Sequence, residues 1–323
     1  MAPMPDRIAV VLANLGGPDS LEAVRPFLFN LFSDPDIFGF PLGFITQRPL
    51  AALIAWRRAP EAIHGYAAIG GKSPILDYTL AQAEALQRAI GGDYKVHVCM
   101  RYWHPLSDEV VTTLKKKNYT RVILLPLYPQ YSITTTGSSY NEFMRQCQRQ
   151  DYHPTVTLVR EWYENPDYQA AIVETLRAEA KKFPDPDPER IELLFSAHGL
   201  PQKIVRQGDP YEHQIRATYD AVHQQLGWPH STLCYQSRVG PLEWLRPYTA
   251  DVIRAKAGTK QMLVYPIAFV SDHVETLFEL GITYAALARD QGIEHYRVAP
   301  ALNNHPRFIA ALKSLVLNAV ARP

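Results

Sequence analysis

The sequence predicts an α/β protein made of two related halves, each a parallel β-sheet flanked by helices. Short apolar runs of the buried-strand type alternate with longer helical patterns, which is typical of β-α-β units. Residues 7–18 align with residues 190–201, and each segment is an apolar run followed by a glycine turn and a proline. Residues 121–126 align in the same way with residues 261–266. The alternative is that all parallel strands look alike, and the pattern alone leaves both interpretations open.

Strand and helix patterns follow one another along the whole chain. Strands are predicted at the short apolar runs 7–14, 94–100, 121–127, 191–197 and 261–267. Helices are predicted at 73–90, 106–117, 138–150, 167–182, 210–226, 242–257, 274–290 and 305–319. The stretch 179–190 is rich in proline and charge and indicates a surface loop, so domains are predicted at 1–170 and 171–323. The last helix could pack back onto the first domain.

Composition and charge exclude several classes of protein. Of the 323 residues, 47% are apolar and 20% are charged, which is typical of a globular chain rather than a disordered or fibrous one. The formal net charge of +1 argues against binding nucleic acid by bulk charge. Cys99, Cys147 and Cys234 form no C-x-x-C pair, which leaves a zinc ribbon unsupported and fits a reducing compartment. The sequence shows no signal peptide and no apolar run of membrane-spanning length, so a cytoplasmic location is expected.

His198 is a candidate for chemistry because it directly follows a predicted strand, in the segment FSAHGLP. Gly199 allows a tight turn that would leave the imidazole at the strand end, where α/β proteins bind ligands. The alternative is a loop histidine with no role, since the chain has 11 histidines. Neither a G-x-G-x-x-G nor a P-loop motif occurs, so nucleotide-binding hypotheses lack their fingerprints.

A second candidate is the acidic segment 266–281, PIAFVSDHVETLFELG. Asp272 and Glu275 have the spacing of a capping box, which is the purely structural interpretation. Glu275 and Glu279 are four residues apart, so the three acids would form one ridge on a helix face. Like charges repel at this spacing, and the ridge is better explained if it faces a cation. With the nitrogen of His273 beside it, this ridge predicts a site for a divalent metal.

Polar residues also follow two other strand-like runs. Gln236 and Ser237 stand at one predicted strand end, shortly before Trp244, and Arg101 and Tyr102 stand at another. Each group could be ordinary turn chemistry. The functional interpretation is that both line a ligand site, because the carboxyl ends of parallel strands share one edge of a sheet.

The segment 26–56 is strongly apolar and carries few charges. A pair of core helices is one interpretation. Two glycines and a proline within 39–43 would interrupt any long helix, so part of the run is instead expected to form a mobile apolar lip. Such a patch would face a membrane surface or an apolar ligand. Arg57 and Arg58 follow it and could meet lipid headgroups or a ligand carboxylate.

Several motifs run through nearly the whole chain: NLGGPDS, IGGKSPI, RYWHPL, YPQYSITTTGSS, FSAHGLP, GDPY, YQSRVGPLEWL and FVSDHVETLFEL. Together and in this order they resemble the motifs of the ferrochelatases, the enzymes that insert Fe²⁺ into a porphyrin to make haem. The resemblance implies two Rossmann-like, chelatase-type domains with a porphyrin cleft between them.

The resemblance also implies roles for individual residues. It makes His198 and Glu275 the catalytic residues. It places the metal and proton path at His198, Asp272, His273, Glu275 and Glu279. It assigns porphyrin binding to Leu15, Arg57, Arg58, Tyr66, Arg101, Tyr102, Gln236, Ser237 and Trp244. Because the family lays its apolar lip on a membrane, peripheral contact with the inner membrane surface is expected.

The chain departs from some ferrochelatases in ways that carry further expectations. Cluster-bearing members have a C-terminal extension whose cysteines hold [2Fe–2S]. This chain has no cysteine after Cys234, and Ile133 stands where those members can have cysteine. We therefore expect no cluster and no resident cofactor, and a monomer or weak dimer. Leu15 stands where relatives that use coproporphyrin tend to carry tyrosine, which favours protoporphyrin IX.

The expected reaction is insertion of Fe²⁺ into protoporphyrin IX, with bending of the macrocycle and loss of its two inner N–H protons. An imidazole with an ordinary pKa near ~6.5 suits proton acceptance by His198. A cobalt chelatase of tetrapyrrole synthesis, or a ferrochelatase that uses coproporphyrin III, would keep the same fold. A porphyrin or haem carrier is an alternative of another class, but a carrier needs no proton path, so the acidic ridge argues against it.

Overall fold

The chain forms two compact units. The first takes in the residues up to Trp162 together with those from Ile309 onward, and the second runs from Tyr163 to Phe308. This division falls before the helix Pro166–Ala180, whereas the sequence analysis placed the boundary within that helix, at residue 170. The computed structural model describes residues 7–38, 43–92 and 94–321.

The first unit is a four-stranded parallel sheet with flanking helices. Its strands are β1 (Ile8–Asn14), β2 (Tyr94–Met100), β3 (Arg121–Pro126) and β4 (Thr155–Leu158). Its helices are α1 (Val24–Phe32), α2 (Gly43–Ala68), α3 (Ile75–Ile90), α4 (Ser107–Lys116) and α5 (Ser138–Arg149). The strand order is β2-β1-β3-β4.

The second unit is built in the same way. Its strands are β5 (Ile191–His198), β6 (Ser231–Gln236), β7 (Gln261–Tyr265) and β8 (His295–Val298). Its helices are α6 (Pro166–Ala180), α7 (Gln202–Arg206), α8 (Tyr211–Leu226), α9 (Thr249–Ala255), α10 (Tyr284–Asp290) and the start of α11 (Pro306–Val320). The strand order is β6-β5-β7-β8.

The two sheets have the same topology, which confirms the predicted α/β class and agrees with the aligned segments. The segments that align in sequence become β1 and β5 in one case and β3 and β7 in the other, and each pair takes the same place in its sheet. In both sheets the chain moves from the first strand to one side and then to the other. Ligands of open α/β sheets bind at the carboxyl ends of the strands where the order reverses. In the second unit those strands are β5 and β7.

The last strand of each sheet was harder to predict than the central strands. Central β1 and β5 are almost wholly buried, so their sequences are continuous apolar runs. The edge strands β4 and β8 are four residues long and mostly half-buried, and TVTL and HYRV contain no such run. They were not predicted, and β6 was recognised only by the polar residues at its end.

The helix predicted at 242–257 is wrong over its first half. Only α9 is helical there, and Trp244 instead forms an antiparallel bridge with Pro201. The Leu245 N–H donates to the Leu200 carbonyl at 3.0 Å. This N–H therefore bonds to the segment after β5 rather than to a carbonyl within a helix. Pro247 also lacks an N–H and disfavours helical geometry in the residue before it. Pairing across the chain therefore outweighs the local helical pattern.

The helix predicted at 274–290 exists but changes its winding. Residues Glu275–Thr283 form a π-helix, which α10 continues. A shorter π-helix, Ile133–Gly137, follows β3 in the first unit and leads into α5. The segments after the third strand of both sheets thus contain the same rare geometry, which occurs most often at functional sites.

The apolar segment 26–56 is neither wholly core nor wholly exposed. Helix α1 buries Phe27, Leu28 and Phe32, whereas α2 begins at Gly43 and exposes large apolar side chains along one face. Residues 39–42, where the mobile part of the lip was expected, lie outside the described residues. In the part of the chain that the structure describes, no helix is both long enough and apolar enough to cross a membrane.

A buried ion network joins three segments at the carboxyl edge of the first sheet. Asp34, which follows α1 and is only 2% exposed, accepts hydrogen bonds from Arg101 at 2.9 Å and from the Tyr102 hydroxyl at 2.6 Å. The Ser138 hydroxyl also donates to Asp34, and Arg101 Nε donates to Ser138 at 2.7 Å. Burial and the neighbouring carboxylate raise the pKa of Tyr102, so its hydroxyl stays protonated and remains a donor. The sequence analysis did not identify Asp34 as a site residue.

We predict that Asp34→Ala lowers the free energy of unfolding by about 3–5 kcal/mol, because it leaves the Arg101 guanidinium buried without its counter-charge. Asp77→Ala is the control, since it removes an exposed pair with Lys72 at 2.8 Å and should change stability by less than about 1 kcal/mol. Urea unfolding of both variants is the measurement. Equal effects of the two substitutions would contradict the importance of the buried network.

Candidate active site

The polar side chains of the second unit converge at the carboxyl edge of its sheet. His198 is the last residue of β5 and pairs in register with Gln236, the last residue of β6. Glu275 and Glu279 lie in the π-helix that follows β7. The strands β5 and β7 are those at which the strand order reverses, so the side chains meet where this fold places ligands.

His198 and Glu275 form a hydrogen-bonded pair. The distance from His198 Nδ1 to Glu275 Oε2 is 2.9 Å, and 34% of the histidine side chain remains exposed. Burial disfavours the charged imidazole, but the Glu275 carboxylate outweighs it, so the pKa of His198 is raised above its usual value. Burial would likewise raise the pKa of Glu275, but His198 and further donors lower it to about 2. The carboxylate is therefore ionised and stabilises a proton on the imidazole.

The turn after β5 holds His198 in place. Gly199 N–H donates to the Gln236 carbonyl at 3.0 Å, and a Cβ on Gly199 would lie 3.1 Å from that oxygen. The rings of Trp244 and Phe269 flank the imidazole edge-on, with centroids at 6.4 and 6.3 Å. A larger residue at this position would force the neighbouring backbone to shift by a few tenths of an ångström, so glycine favours the close approach of the turn to the end of β6.

Ser237 connects the two glutamates. Its Oγ lies 3.0 Å from Glu275 Oε2 and 2.5 Å from Glu279 Oε2, and its N–H donates to Glu279 Oε1 at 3.0 Å. Its φ of 64° is in the left-handed region, which non-glycine residues seldom adopt. This backbone geometry directs both the amide and the hydroxyl of one residue at the acid pair.

The contacts of Ser237 with Glu275 and Glu279 limit which of these groups can carry a proton. A hydroxyl has one hydrogen, so it cannot donate to two ionised carboxylates. Glu279 Oε1 accepts from the Ser237 amide and from the Tyr284 hydroxyl at 3.1 Å, which marks it as a carbonyl-type oxygen. For both Ser237 contacts to be hydrogen bonds at once, Glu279 Oε2 would carry the proton and donate to Ser237, and Ser237 would donate to Glu275 Oε2. In agreement, burial and the charge of Glu275 raise the pKa of Glu279.

His273 presents an unused lone pair beside this chain. It is 4% exposed, and its Nδ1 lies 3.2 Å from the Ser271 carbonyl, so Nδ1 carries the hydrogen. Nε2 is buried without a hydrogen-bond partner and lies 3.9 Å from Glu275 Oε1. Burial lowers the pKa of His273, which keeps the ring neutral and able to bind a metal.

Asp272 has different contacts from the other two predicted ridge acids, and its role in metal binding stays a prediction. It precedes the π-helix and accepts hydrogen bonds from Asn303 Nδ2 at 2.7 Å and from Thr276 Oγ1 at 2.9 Å. The Ala301 N–H donates to it as well, at 3.2 Å. Its oxygens are thus used to hold the segment after β8 against the start of the π-helix. Glu275 and Glu279 lie within the π-helix itself.

The predicted metal residues do not form a ready-made metal site. In residues 7–38, 43–92 and 94–321, no three His, Cys, Asp or Glu side chains converge with the geometry of a bound ion. The structure instead pairs His198 directly with Glu275 and leaves His273 Nε2 near Glu275 Oε1.

The remaining predicted site residues divide between the two units. Gln236 and Ser237 lie at the His198 site, and Trp244 packs beside it with its ring N–H donating to the Val239 carbonyl at 3.0 Å. In the first unit, Leu15 follows β1 and is half-buried, and its carbonyl accepts from the Tyr102 N–H at 3.0 Å. That hydrogen bond brings Leu15, Arg101 and Tyr102 together at one sheet edge.

The other three predicted porphyrin residues lie on α2. Tyr66 is buried, Arg57 is exposed, and Arg58 is half-buried with Glu61 at 3.7 Å. Their assignment to the porphyrin stays a prediction.

Solved structures of low sequence identity share this fold. SirB from Bacillus subtilis with Fe³⁺ matches with a TM-score of 0.58 at 10% identity, over 98% of this chain and 96% of that chain. A multi-domain protein from Deinococcus radiodurans, described as structurally similar to chelatases, matches with a TM-score of 0.52 at 14% identity, over 97% of this chain and 55% of that chain. At these identities the likeness shows the fold alone.

Sequence comparison gives the family. The model of the Ferrochelatase family matches residues 7–320. Curated proteins named ferrochelatase are 46% identical in Cyanothece sp. (98% of this chain, 84% of the relative), 46% in Picosynechococcus sp. (97% and 83%) and 44% in Synechocystis sp. (98% and 84%). These matches confirm the resemblance seen in the motifs and the prediction of an enzyme. The chain belongs to the ferrochelatase family of metal chelatases.

Proposed function

We propose that this enzyme inserts Fe²⁺ into protoporphyrin IX to form haem. Family membership supports metal insertion into a porphyrin in haem synthesis. The observation that carries the proposal for this chain is the hydrogen-bonded series His198–Glu275–Ser237–Glu279. Replacing two inner N–H protons of a porphyrin by Fe²⁺ requires a base beside the macrocycle and a place to which the protons can go.

His198 is proposed as the base. Because Nδ1–H donates to Glu275, the lone pair of the neutral ring is on Nε2 and is free to accept a proton. Glu275 then stabilises the imidazolium that forms, as an oriented carboxylate does for a catalytic histidine. The raised pKa means that the neutral form, and with it kcat, increases as the pH rises through a value above ~6.5.

Glu279 is proposed to control the release of protons. With its own proton in place, the chain of hydrogen bonds points from Glu279 through Ser237 towards Glu275. A proton can leave His198 along this chain only after Glu279 has given up its proton, which reverses the direction of each hydrogen bond. The pKa of Glu279 is raised, so this group keeps its proton to a higher pH than an ordinary glutamate does, and it can take part in proton exchange where an ordinary glutamate is already ionised.

The metal is a substrate in this proposal. Fe²⁺ is of borderline softness and accepts nitrogen and carboxylate oxygen ligands. His273 Nε2 and Glu275 Oε1, 3.9 Å apart, offer one of each without an intervening hydrogen bond. They are proposed to hold the ion on its way to the macrocycle. Distortion of the porphyrin by contacts away from the metal would expose its inner nitrogens.

A cobalt chelatase is the second candidate function. A sirohydrochlorin chelatase from Bacillus subtilis, solved in complex with cobalt, matches this fold with a TM-score of 0.58 at 9% identity, over 98% of this chain and 97% of that chain. Nitrogen and oxygen ligands also suit Co²⁺. The two functions are separated by comparing turnover of Fe²⁺ and Co²⁺ with the same porphyrin. A carrier is separated from both by turnover beyond one metal per chain.

We predict that His198→Ala and Glu275→Gln each lower kcat for anaerobic Fe²⁺ insertion by about 10²-fold or more, because the first removes the base and the second removes its ionised partner. Haem absorbance measures the product, and thermal melts measure the fold. His153→Ala and Glu164→Gln, on exposed residues, are matched controls that should retain wild-type turnover. A normal kcat with a lowered melting temperature in Glu275→Gln would leave only a structural role.

We predict a higher kcat/KM for protoporphyrin IX than for coproporphyrin III, because Leu15 offers an apolar group where a tyrosine would offer a hydroxyl. Leu15→Tyr should lower the ratio of the two kcat/KM values. Anaerobic insertion assays with both porphyrins are the measurement. A wild-type preference for coproporphyrin III would refute this choice of substrate.

We also propose that α2 lies on an anionic membrane surface at the cytoplasmic side. Ile45, Leu53 and Trp56 are 64%, 57% and 60% exposed, and at 100° per residue they fall within one stripe of the helix. Arg48 and Arg57 are exposed on either side of this stripe. An apolar stripe flanked by cations is typical of helices that lie in the plane of a membrane.

We predict that the double substitution Leu53→Ser and Trp56→Ser reduces sedimentation of the folded protein with vesicles of anionic phospholipid. Leu53 and Trp56 are the targets because more than half of each side chain is exposed on the stripe. Leu317→Ser is the control, because Leu317 is an exposed leucine on α11. Unchanged vesicle binding in the double variant would count against the surface.

A further inference from the structure

The carboxamide of Gln236 stands between the Glu275 carboxylate and a buried hydroxyl. Gln236 Nε2 lies 3.4 Å from Glu275 Oε2, and Gln236 Oε1 accepts from the Ser196 hydroxyl at 2.7 Å. Gln236 is 2% exposed and Ser196 is fully buried. With the amide turned over, its carbonyl oxygen would face an ionised carboxylate, which is acceptor-only. Only one orientation of the carboxamide lets Gln236 support the His198–Glu275 pair.

The hydroxyl of Ser196 is what selects this orientation. It has one hydrogen, and giving it to Gln236 Oε1 leaves the oxygen able only to accept. The Thr249 hydroxyl, 2.8 Å away and fully buried, is the group positioned to donate to it. Thr249 Oγ1 also lies 3.3 Å from Cys234 Sγ, but sulfur is the weaker acceptor, so the hydrogen goes to Ser196. The hydrogen bonds thus point one way, from Thr249 to Ser196 to Gln236 to Glu275.

This series of hydrogen bonds does not conduct protons. Its first member, Thr249, lies 3.3 Å from Cys234 Sγ. Cys234 is fully buried in the apolar core of the second unit. Burial raises the pKa of the Cys234 thiol to about 12, so the thiol neither releases a proton near neutral pH nor reaches solvent. A proton path must reach a group that exchanges protons with solvent, and Ser196, Thr249 and Cys234 are all fully buried. The series can orient Gln236, but it cannot supply or remove a proton.

We propose that Ser196 and Thr249 are positioning residues of the chelatase site, which act by fixing the Gln236 carboxamide so that it donates to Glu275. Thr249 is the first residue of α9, and Ser196 lies on β5 two residues before His198. The pair therefore couples the start of α9 to the strands β5 and β6 that carry His198 and Gln236. The inference rests on the proposed function, because it concerns the same acid–base pair.

The first test uses a matched pair of substitutions at Thr249. Thr249→Val keeps the shape and removes the hydroxyl, whereas Thr249→Ser keeps the hydroxyl and removes a methyl group. We expect kcat for metal insertion to fall about threefold to tenfold in Thr249→Val, the worth of one hydrogen bond, with KM for porphyrin and metal within about twofold of the wild type. Thr249→Ser should recover most of kcat. A wild-type kcat in folded Thr249→Val would overturn the proposal.

A double-mutant cycle decides whether the effect passes through Gln236. Ser196→Ala should lower kcat about tenfold in the wild-type background and have no further effect in a Gln236→Leu background. An equal loss in both backgrounds would overturn the proposal, since Ser196 would then act by another route. The cycle also decides the matter if Thr249→Val does not fold.

A readout without turnover separates this inference from the proposed function. The side-chain NH₂ resonances of Gln236, assigned by their absence in Gln236→Leu, should shift in Thr249→Val and Ser196→Ala and stay near the wild-type positions in Thr249→Ser. Unchanged resonances in both hydroxyl-free variants would overturn the positioning role. If the wild-type protein inserted no metal while these shifts occurred, the proposed function would fail and the orientation of Gln236 would stand.

Discussion

One hydroxyl with a single hydrogen constrains the whole site. Ser237 Oγ lies within hydrogen-bond distance of both Glu275 and Glu279, and it cannot donate to two carboxylates at once. For both contacts to be hydrogen bonds, one glutamate would have to carry a proton. Its partners identify it as Glu279, because Glu275 faces His198 and must be ionised to stabilise it. The division of two similar acids into one anion and one acid follows from these contacts rather than from their sequence.

The fold produces this arrangement by bringing three chain segments to one sheet edge. Strands β5 and β6 end side by side at His198 and Gln236, and the π-helix after β7 supplies the glutamates. The left-handed backbone at Ser237 turns its amide and hydroxyl towards them. A strained residue persists only where its surroundings hold it, and here the hydrogen bonds to two carboxylates do so. Packing of the parallel sheet and the geometry of the acid pair are thus linked.

The sequence predicted what depends on local pattern and missed what depends on distant partners. Buried runs gave the central strands, and a histidine at a strand end gave His198. The spacing of Asp272 placed it with Glu275 and Glu279 on one predicted helix face. Its hydrogen bond to Asn303 could not be predicted, because Asn303 lies far along the chain. Asp34 went unrecognised for the same reason, since Arg101 and Ser138 reach it across the sheet edge. No periodicity encodes such contacts, although an acid within an apolar run is a signal worth noting.

The proton on Glu279 is the central claim, and infrared spectroscopy tests it most directly. At neutral pH the wild-type protein should show the carbonyl stretch of a protonated carboxylic acid, and this band should disappear in Glu279→Gln. Glu164→Gln, which alters an exposed glutamate, should leave the band in place. A wild-type spectrum without the band, or a band that survives in Glu279→Gln, would contradict the assignment of one anion and one acid.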